Sequence, residues 1–280
     1  MARGRRFGRL IAICGLMLLG PPAAGQLPTE TPAKLRLITH WHSAGPDHAT
    51  ELWAGVLFQL EPGWHIYWTN PGDSGEPPKI QWTVPENFHP GAIRWPTPLR
   101  LGHGSIMDYG YEGQVVLLSR IDAPPWRDVM RLKEVPLTAD VKYLVCKEIC
   151  IPAKAHLTAV VQVGTNSSTG GADSLELIRK TQLDLPKAIG AALHVSAEAR
   201  GYQIILSVAG ADRVRGASFF PEQANQIENS AAQPFAPTRE GFRLTLKKSD
   251  LLTTRPEKLK GLLQIDGGSA YWIDAPIDWK

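Results

Sequence analysis

Two cysteines in the stretch "YLVCKEICIPAKAH", residues 143–156, carry the most reactive side chains of this sequence. Cys146 and Cys150 are separated by three residues, and the 280-residue chain has one further cysteine, Cys14. Such a pair can close a structural bridge, clip a metal, or open and close as a redox couple. A bridge around five residues restricts the unfolded chain little. The loop-entropy relation gives about 2 kcal/mol for it, against about 3 kcal/mol for a fifteen-residue loop. The pair is poorly placed as a staple and well placed for access.

His65, His103, His156 and Met107 are the side chains that could join two thiolates in a soft set suited to Cu(I) or zinc. Two cysteines alone are an incomplete zinc set, and the histidines lack ligand-like spacing. His40 and His42 alternate on one strand face, which points to a surface role. On the residues alone, the redox, structural and metal readings all stay open.

The segments that must position the cysteines read as strands. "ADVKYLVC" runs into Lys147-Glu148-Ile149 and Cys150, and "HLTAVVQVG" begins the next strand. In a hairpin around this turn the cysteines would face each other, with Cβ atoms roughly 4.5–5.5 Å apart. A helix presenting both on one face is disfavoured by Val141, Val145, Ile149, Ile151 and Pro152. "KLRLITHWHSA", "ELWAGVLFQL", "GWHIYW" and "QVVLLSRI" extend the strand pattern, separated by turn segments such as "EPG", "NPGDSGEPP" and "TPLRLGHG". Many short strands with Gly/Pro turns predict an all-β sandwich rather than alternating βαβ units.

Composition breaks at "GTNSSTGGAD", residues 164–173, which reads as a linker. Asp173 and Glu176 fit a capping box ahead of a short helix, and Pro186 closes that region. A second strand-rich block follows in "YQIILSVAG", "GASFFPE", "FRLTLKK", "KGLLQIDG" and "AYWIDAPI". The expected order is a leader at 1–25, a first sandwich at 27–165, linker and helix at 166–186, and a second sandwich at 187–280.

The leader has Arg3, Arg5, Arg6 and Arg9, then the apolar run Leu10–Leu19, then Ala23-Ala24-Gly25. That is the layout of a secretory signal peptide, with an apolar run too short to span a bilayer. The whole chain has 30 Lys+Arg against 27 Asp+Glu, and the leader holds four arginines and no acid. Removal leaves 26 against 27, a net charge of −1, so the apparent basicity is a targeting feature. Nucleic-acid binding, which needs clustered cationic charge, is not expected. Cys14 leaves with the leader, and the remaining pair in an oxidising compartment is expected to rest as a disulfide. No further apolar run is long enough for a transmembrane segment after cleavage.

The ordered series "GWHIYWTNPGDSGEPP", "IRWPTP", "YGYEGQVVLL" and "VKYLVCKEICIPAKAHL" resembles the amino-terminal periplasmic domain of the thiol:disulfide interchange reductase DsbD. It is closer to the two-domain version in the copper-sensitivity suppressor ScsB. The resemblance covers nearly all of 34–165 and, less specifically, the second block. It implies two immunoglobulin-like β-sandwich domains in a periplasmic protein and makes Cys146 and Cys150 the exchanging pair. It also implies thioredoxin-like periplasmic partners and a membrane-embedded electron source. The chain stops at "PIDWK" without the family's membrane helices, so a separate membrane electron donor is expected.

By the same resemblance, "GSIMDYGYEG" matches the family's cap over the disulfide. Tyr109 and Gly110 are the firmest match, with Met107 and Tyr109 as the candidates for the capping side chain. His65 and Tyr67 of "GWHIY" would line the site. Lys147 and His156 would favour a thiolate and Glu148 would oppose it. The expected function is an exported relay, a protein-disulfide reductase component, with no cofactor beyond the redox-active disulfide and no metal site. One alternative is a periplasmic copper-tolerance module binding Cu(I) through the same cysteines. Another is a non-catalytic β-sandwich interaction module with a structural disulfide.

Overall fold

The computed structural model describes residues 1, 31–43, 48, 50–164, 168–211 and 213–280. Residues 2–25 of the expected leader lie outside the described residues, as do residues 165–167, where the first sandwich is expected to meet the linker. Thr31–Lys280 is one compact unit. It is almost entirely β, as the turn-punctuated strand pattern predicts. Among the described residues, no helix is long and apolar enough to cross a membrane.

The first block contains β1 (Ala33–Ser43), β2 (Thr50–Leu60), β3 (His65–Gly72), β4 (Lys79–Thr83), β5 (His89–Arg94) and β6 (Leu99–His103). It continues with β7 (Ile106–Glu112), β8 (Gln114–Ala123), a single helical turn α1 (Trp126–Val129), β9 (Glu134–Cys146), β10 (Cys150–Gln162) and β11 (Ser168–Thr169). One sheet runs β11-β1-β2-β8-β5; the other runs β10-β9-β3-β7-β6, with β4 also paired to β9. Their facing residues, including Trp41, Phe58, Ile66, Trp68, Val141 and Val145, share one core.

The runs "GVLF" and "VVLL" are apolar at successive positions because both faces of that sheet are covered. Val56, Phe58, Val115 and Leu117 face the sandwich core. Ile38, Leu57, Val116 and Leu118 point the other way and meet Ile178 of α2 (Ser174–Asp184). The 166–186 segment is therefore packed where it is described: Ser168–Thr169 pair with β1, and α2 covers the outer face of its sheet.

The predicted capping box does not form. Asp173 makes no side-chain cap bond, because its carboxylate takes two 2.8 Å hydrogen bonds from the Arg36 guanidinium. The helix stops at Asp184, and Leu185 turns extended before Pro186, as the steric clash ahead of proline requires.

The second block comprises β12 (Lys187–Ala188), β13 (His194–Arg200), β14 (Gln203–Ala209), β15 (Ala217–Pro221), β16 (Phe235–Pro237), β17 (Gly241–Lys247), β18 (Lys258–Ile265) and β19 (Ala270–Trp279). Strand alternation there serves two cores at once. Phe219 and Leu263 face the second core, while the next pair in register, Phe220 and Leu262, enters the first. Trp272 of β19 stacks on Trp68 of β3, with centroids 6.2 Å apart. Asn70 donates to the Pro221 carbonyl at 2.8 Å inside this contact.

Candidate functional site

Cys146 ends β9 and Cys150 begins β10, and the two are directly opposite in register across Lys147-Glu148-Ile149. Their sulfurs form a disulfide, with Cα atoms 4.1 Å apart. The turn is closed by the Lys147 amide donating to the Ile149 carbonyl at 3.1 Å. β10 is a sheet edge, which is why Pro152 can sit two residues past the cysteine without removing a ladder bond the sheet needs. The two sulfur-bearing residues differ in access: Cys146 is 2% exposed, whereas Cys150 lies in an exposed tip with Lys147, Glu148 and Ile149.

β3 supplies the floor. His65 pairs in register with Cys146, and Tyr67, two residues on and therefore on the same face, brings its hydroxyl 3.6 Å from the Cys150 sulfur. Both rings are buried and meet edge to face, 5.1 Å apart. Gly75 lies over the Tyr67 ring with φ +78°; a Cβ there would penetrate the ring, so the 72–78 turn needs glycine at that point. Burial raises the Tyr67 phenol above its ordinary value, so it stays protonated and able to donate at neutral pH.

The segment matched to the cap lies in a hairpin. "TPLRLGHG", read as a turn, contains β6, and Ile106–Glu112 is its partner β7. Its Gly/Pro content hid the alternation of Leu99 and Leu101 around Arg100. The period of two divides the named side chains. Met107 and Tyr109 belong to the first core, where Tyr109 is fully buried against Trp68 and Phe220. Its hydroxyl donates to Asn229 of the second block at 3.1 Å. Gly110 pairs with Tyr67. Met107 and Tyr109, the candidate capping side chains, both pack in this core.

The side chain this hairpin brings beside His65 is Asp108, which the sequence reading did not single out. Alternation opposite Met107 and Tyr109 was its one visible signal. Asp108 is 3% exposed and accepts hydrogen bonds from the Ser74 amide at 3.0 Å and the Ser74 hydroxyl at 2.9 Å. Burial lifts it above the ordinary carboxylate range, outweighing the opposing effect of Ser74. Burial likewise holds His65 below the usual imidazole range, against the pull of Asp108. His65 Nε2 and Asp108 Oδ2 are 3.8 Å apart, too far for a hydrogen bond.

The remaining residues separate. Lys147 lies against Gly63 at the tip, and Glu148 is exposed in the same turn. His156 is six residues along β10, about 20 Å from Cys150 at the strand rise. It pairs with Asp140 at 2.7 Å, so the structure does not bring it to the sulfurs.

An accessible disulfide at a hairpin tip, floored by a buried phenol and carried on a β-sandwich, has the form of a thiol–disulfide exchange module. Residues 41–162 match the family described as thiol:disulfide interchange protein DsbD, N-terminal. The chain is also similar in structure to the N-terminal periplasmic domain of ScsB from Proteus mirabilis, with a TM-score of 0.64 and 18% identity. That likeness covers 90% of this chain and 96% of the other, so it extends the shared fold across both blocks. No curated protein matches the chain.

Proposed function

We propose that this protein is an exported, periplasmic thiol–disulfide exchange relay that passes electrons to thioredoxin-like proteins. The observation that carries the reading is the asymmetry of the pair, with Cys150 exposed beside the Tyr67 hydroxyl and Cys146 buried. The family match over residues 41–162 supports it.

In the reduced protein, the Cys150 thiolate attacks one sulfur of a partner disulfide, forming a mixed disulfide and expelling the other partner sulfur as a thiolate. The Cys146 thiolate then attacks the Cys150 sulfur. This re-forms Cys146–Cys150 and releases the second partner thiolate. Two electrons pass to the partner, whose thiolates take up the two protons lost by the cysteines. A separate membrane protein of dithiol chemistry restores the reduced pair by the reverse sequence.

Trapping tests the order of attack. Cys146→Ser leaves Cys150 free to form the mixed disulfide but unable to resolve it, so it accumulates a covalent complex with a thioredoxin-like partner. Cys150→Ser traps far less. Absence of a mixed disulfide with either variant, under conditions that trap a working relay, would overturn the proposal. A reduction potential well below about −300 mV would do the same, since working exchange proteins lie at roughly −120 to −270 mV.

A further inference from the structure

We propose that His65, His103 and Asp108 form a binding site for one divalent first-row transition-metal ion of the zinc type, independent of the two cysteines. Their ligand atoms all lie within 4.8 Å of one another, on the adjacent strands β3, β6 and β7. These are two imidazoles and a carboxylate, a borderline-to-hard set that suits Zn²⁺ and its neighbours better than Cu(I). Three protein ligands leave a fourth tetrahedral position for water.

His65 gives the site its direction. Its side chain is 1% exposed, and neither ring nitrogen has a hydrogen-bond partner. A neutral imidazole offers one donor and one acceptor, and leaving both unmet in a buried position is unfavourable. The 3.8 Å from Nε2 to Asp108 Oδ2 exceeds a hydrogen bond. It is a few tenths of an ångström wider than the roughly 3.3–3.6 Å between two tetrahedral ligand atoms that share an ion at roughly 2.0–2.2 Å, a gap that a small side-chain rotation closes.

The supporting groups are in place. Ser74 holds both Asp108 oxygens through its hydroxyl, at 3.0 and 2.9 Å, which orients the carboxylate as the outer partners of metal ligands commonly do. His103 is exposed, and its ring lies 19° from parallel to that of His65 with centroids 5.3 Å apart. It provides the route from solvent, and rotation about its side-chain bonds closes the third ligand position.

The test uses the oxidised protein, whose sulfurs are held in the disulfide and cannot act as thiolate ligands. Zinc chloride is titrated by calorimetry, and cobalt chloride by visible absorption. The expected result is saturable one-to-one binding, with the intense visible bands of four-coordinate Co²⁺. His103→Ala, an exposed substitution that leaves the fold intact, should weaken binding at least about tenfold, and Ser74→Ala by roughly 10–100-fold. Absence of saturable binding to the oxidised protein would overturn the site, as would binding indifferent to His103→Ala. Binding that appears only on reduction and vanishes in Cys146→Ser/Cys150→Ser would also overturn it, by assigning the ion to the sulfurs. None of these readouts depends on partner trapping, so the relay and the metal site stand or fall separately.

Discussion

The hydroxyl of Tyr67 sits 3.6 Å from the sulfur of Cys150, within reach of a hydrogen bond to sulfur. β3 fixes this approach because Tyr67 is buried in the strand that also pairs with Cys146 through His65. In the disulfide the contact is weak. Once the pair is reduced, the same hydroxyl faces a thiolate, and a hydrogen bond to the charged form favours that form.

Tyr67→Phe should therefore raise the Cys150 thiol pKa by about one unit, since hydrogen bonds to charged groups contribute about 1.5 kcal/mol or more and one unit is 1.36 kcal/mol. The thiolate absorbance of the reduced protein against pH reads this directly, in a Cys146→Ser background. An unchanged titration would mean that the hydroxyl only packs.

Asn229 links the second block to the β6–β7 hairpin. It accepts from the Tyr109 hydroxyl at 3.1 Å and donates to Asp73 at 2.8 Å, while its carbonyl takes a 2.7 Å bond from Arg100. Asn229→Ala should cost about 1–3 kcal/mol by stranding the buried phenol. Because Arg100 bonds the backbone, that tie persists. Hydrogen exchange should quicken in β6 and β7 and remain unchanged in the β1–β2 pair; a uniform change would indicate global loosening instead.

His40 on β1 is held below the usual imidazole range, chiefly by burial, then by the nearby Arg179 charge and by His42. The unfolded chain, with the ordinary value of 6.5, then binds the proton more readily than the folded one. Stability contributed at neutral pH is lost as pH falls from about 6.5 to the lower folded value. His40→Gln should flatten the fall in urea midpoint between about pH 7.5 and pH 5 relative to the parent. An identical fall in both would remove His40 from the acid response.

The hairpin at Cys146 and Cys150 was legible because it is local: two β-rich runs, a three-residue turn and a proline specify its register within twenty residues. The β6–β7 hairpin was obscured, since Pro98, Gly102 and Gly104 outweigh the brief alternation of Leu99 and Leu101. Arg36 could not be foreseen as the partner of Asp173, because their approach requires β1 and the start of α2 to be assembled first.

By itself the sequence determined the β class, the opposed sulfur pair and the family resemblance of residues 41–162, all consequences of short-range periodicity, turn residues and an ordered set of motifs. Tertiary structure decided what surrounds that pair. Two strand-alternation patterns, in β3 and β7, bring Tyr67 to Cys150 and Asp108 to His65, and they turn Tyr109 toward Phe220 instead. A side chain's face follows from local period, but the neighbour it meets there follows from which strands pair, and that is settled only when the sheets close on their shared core.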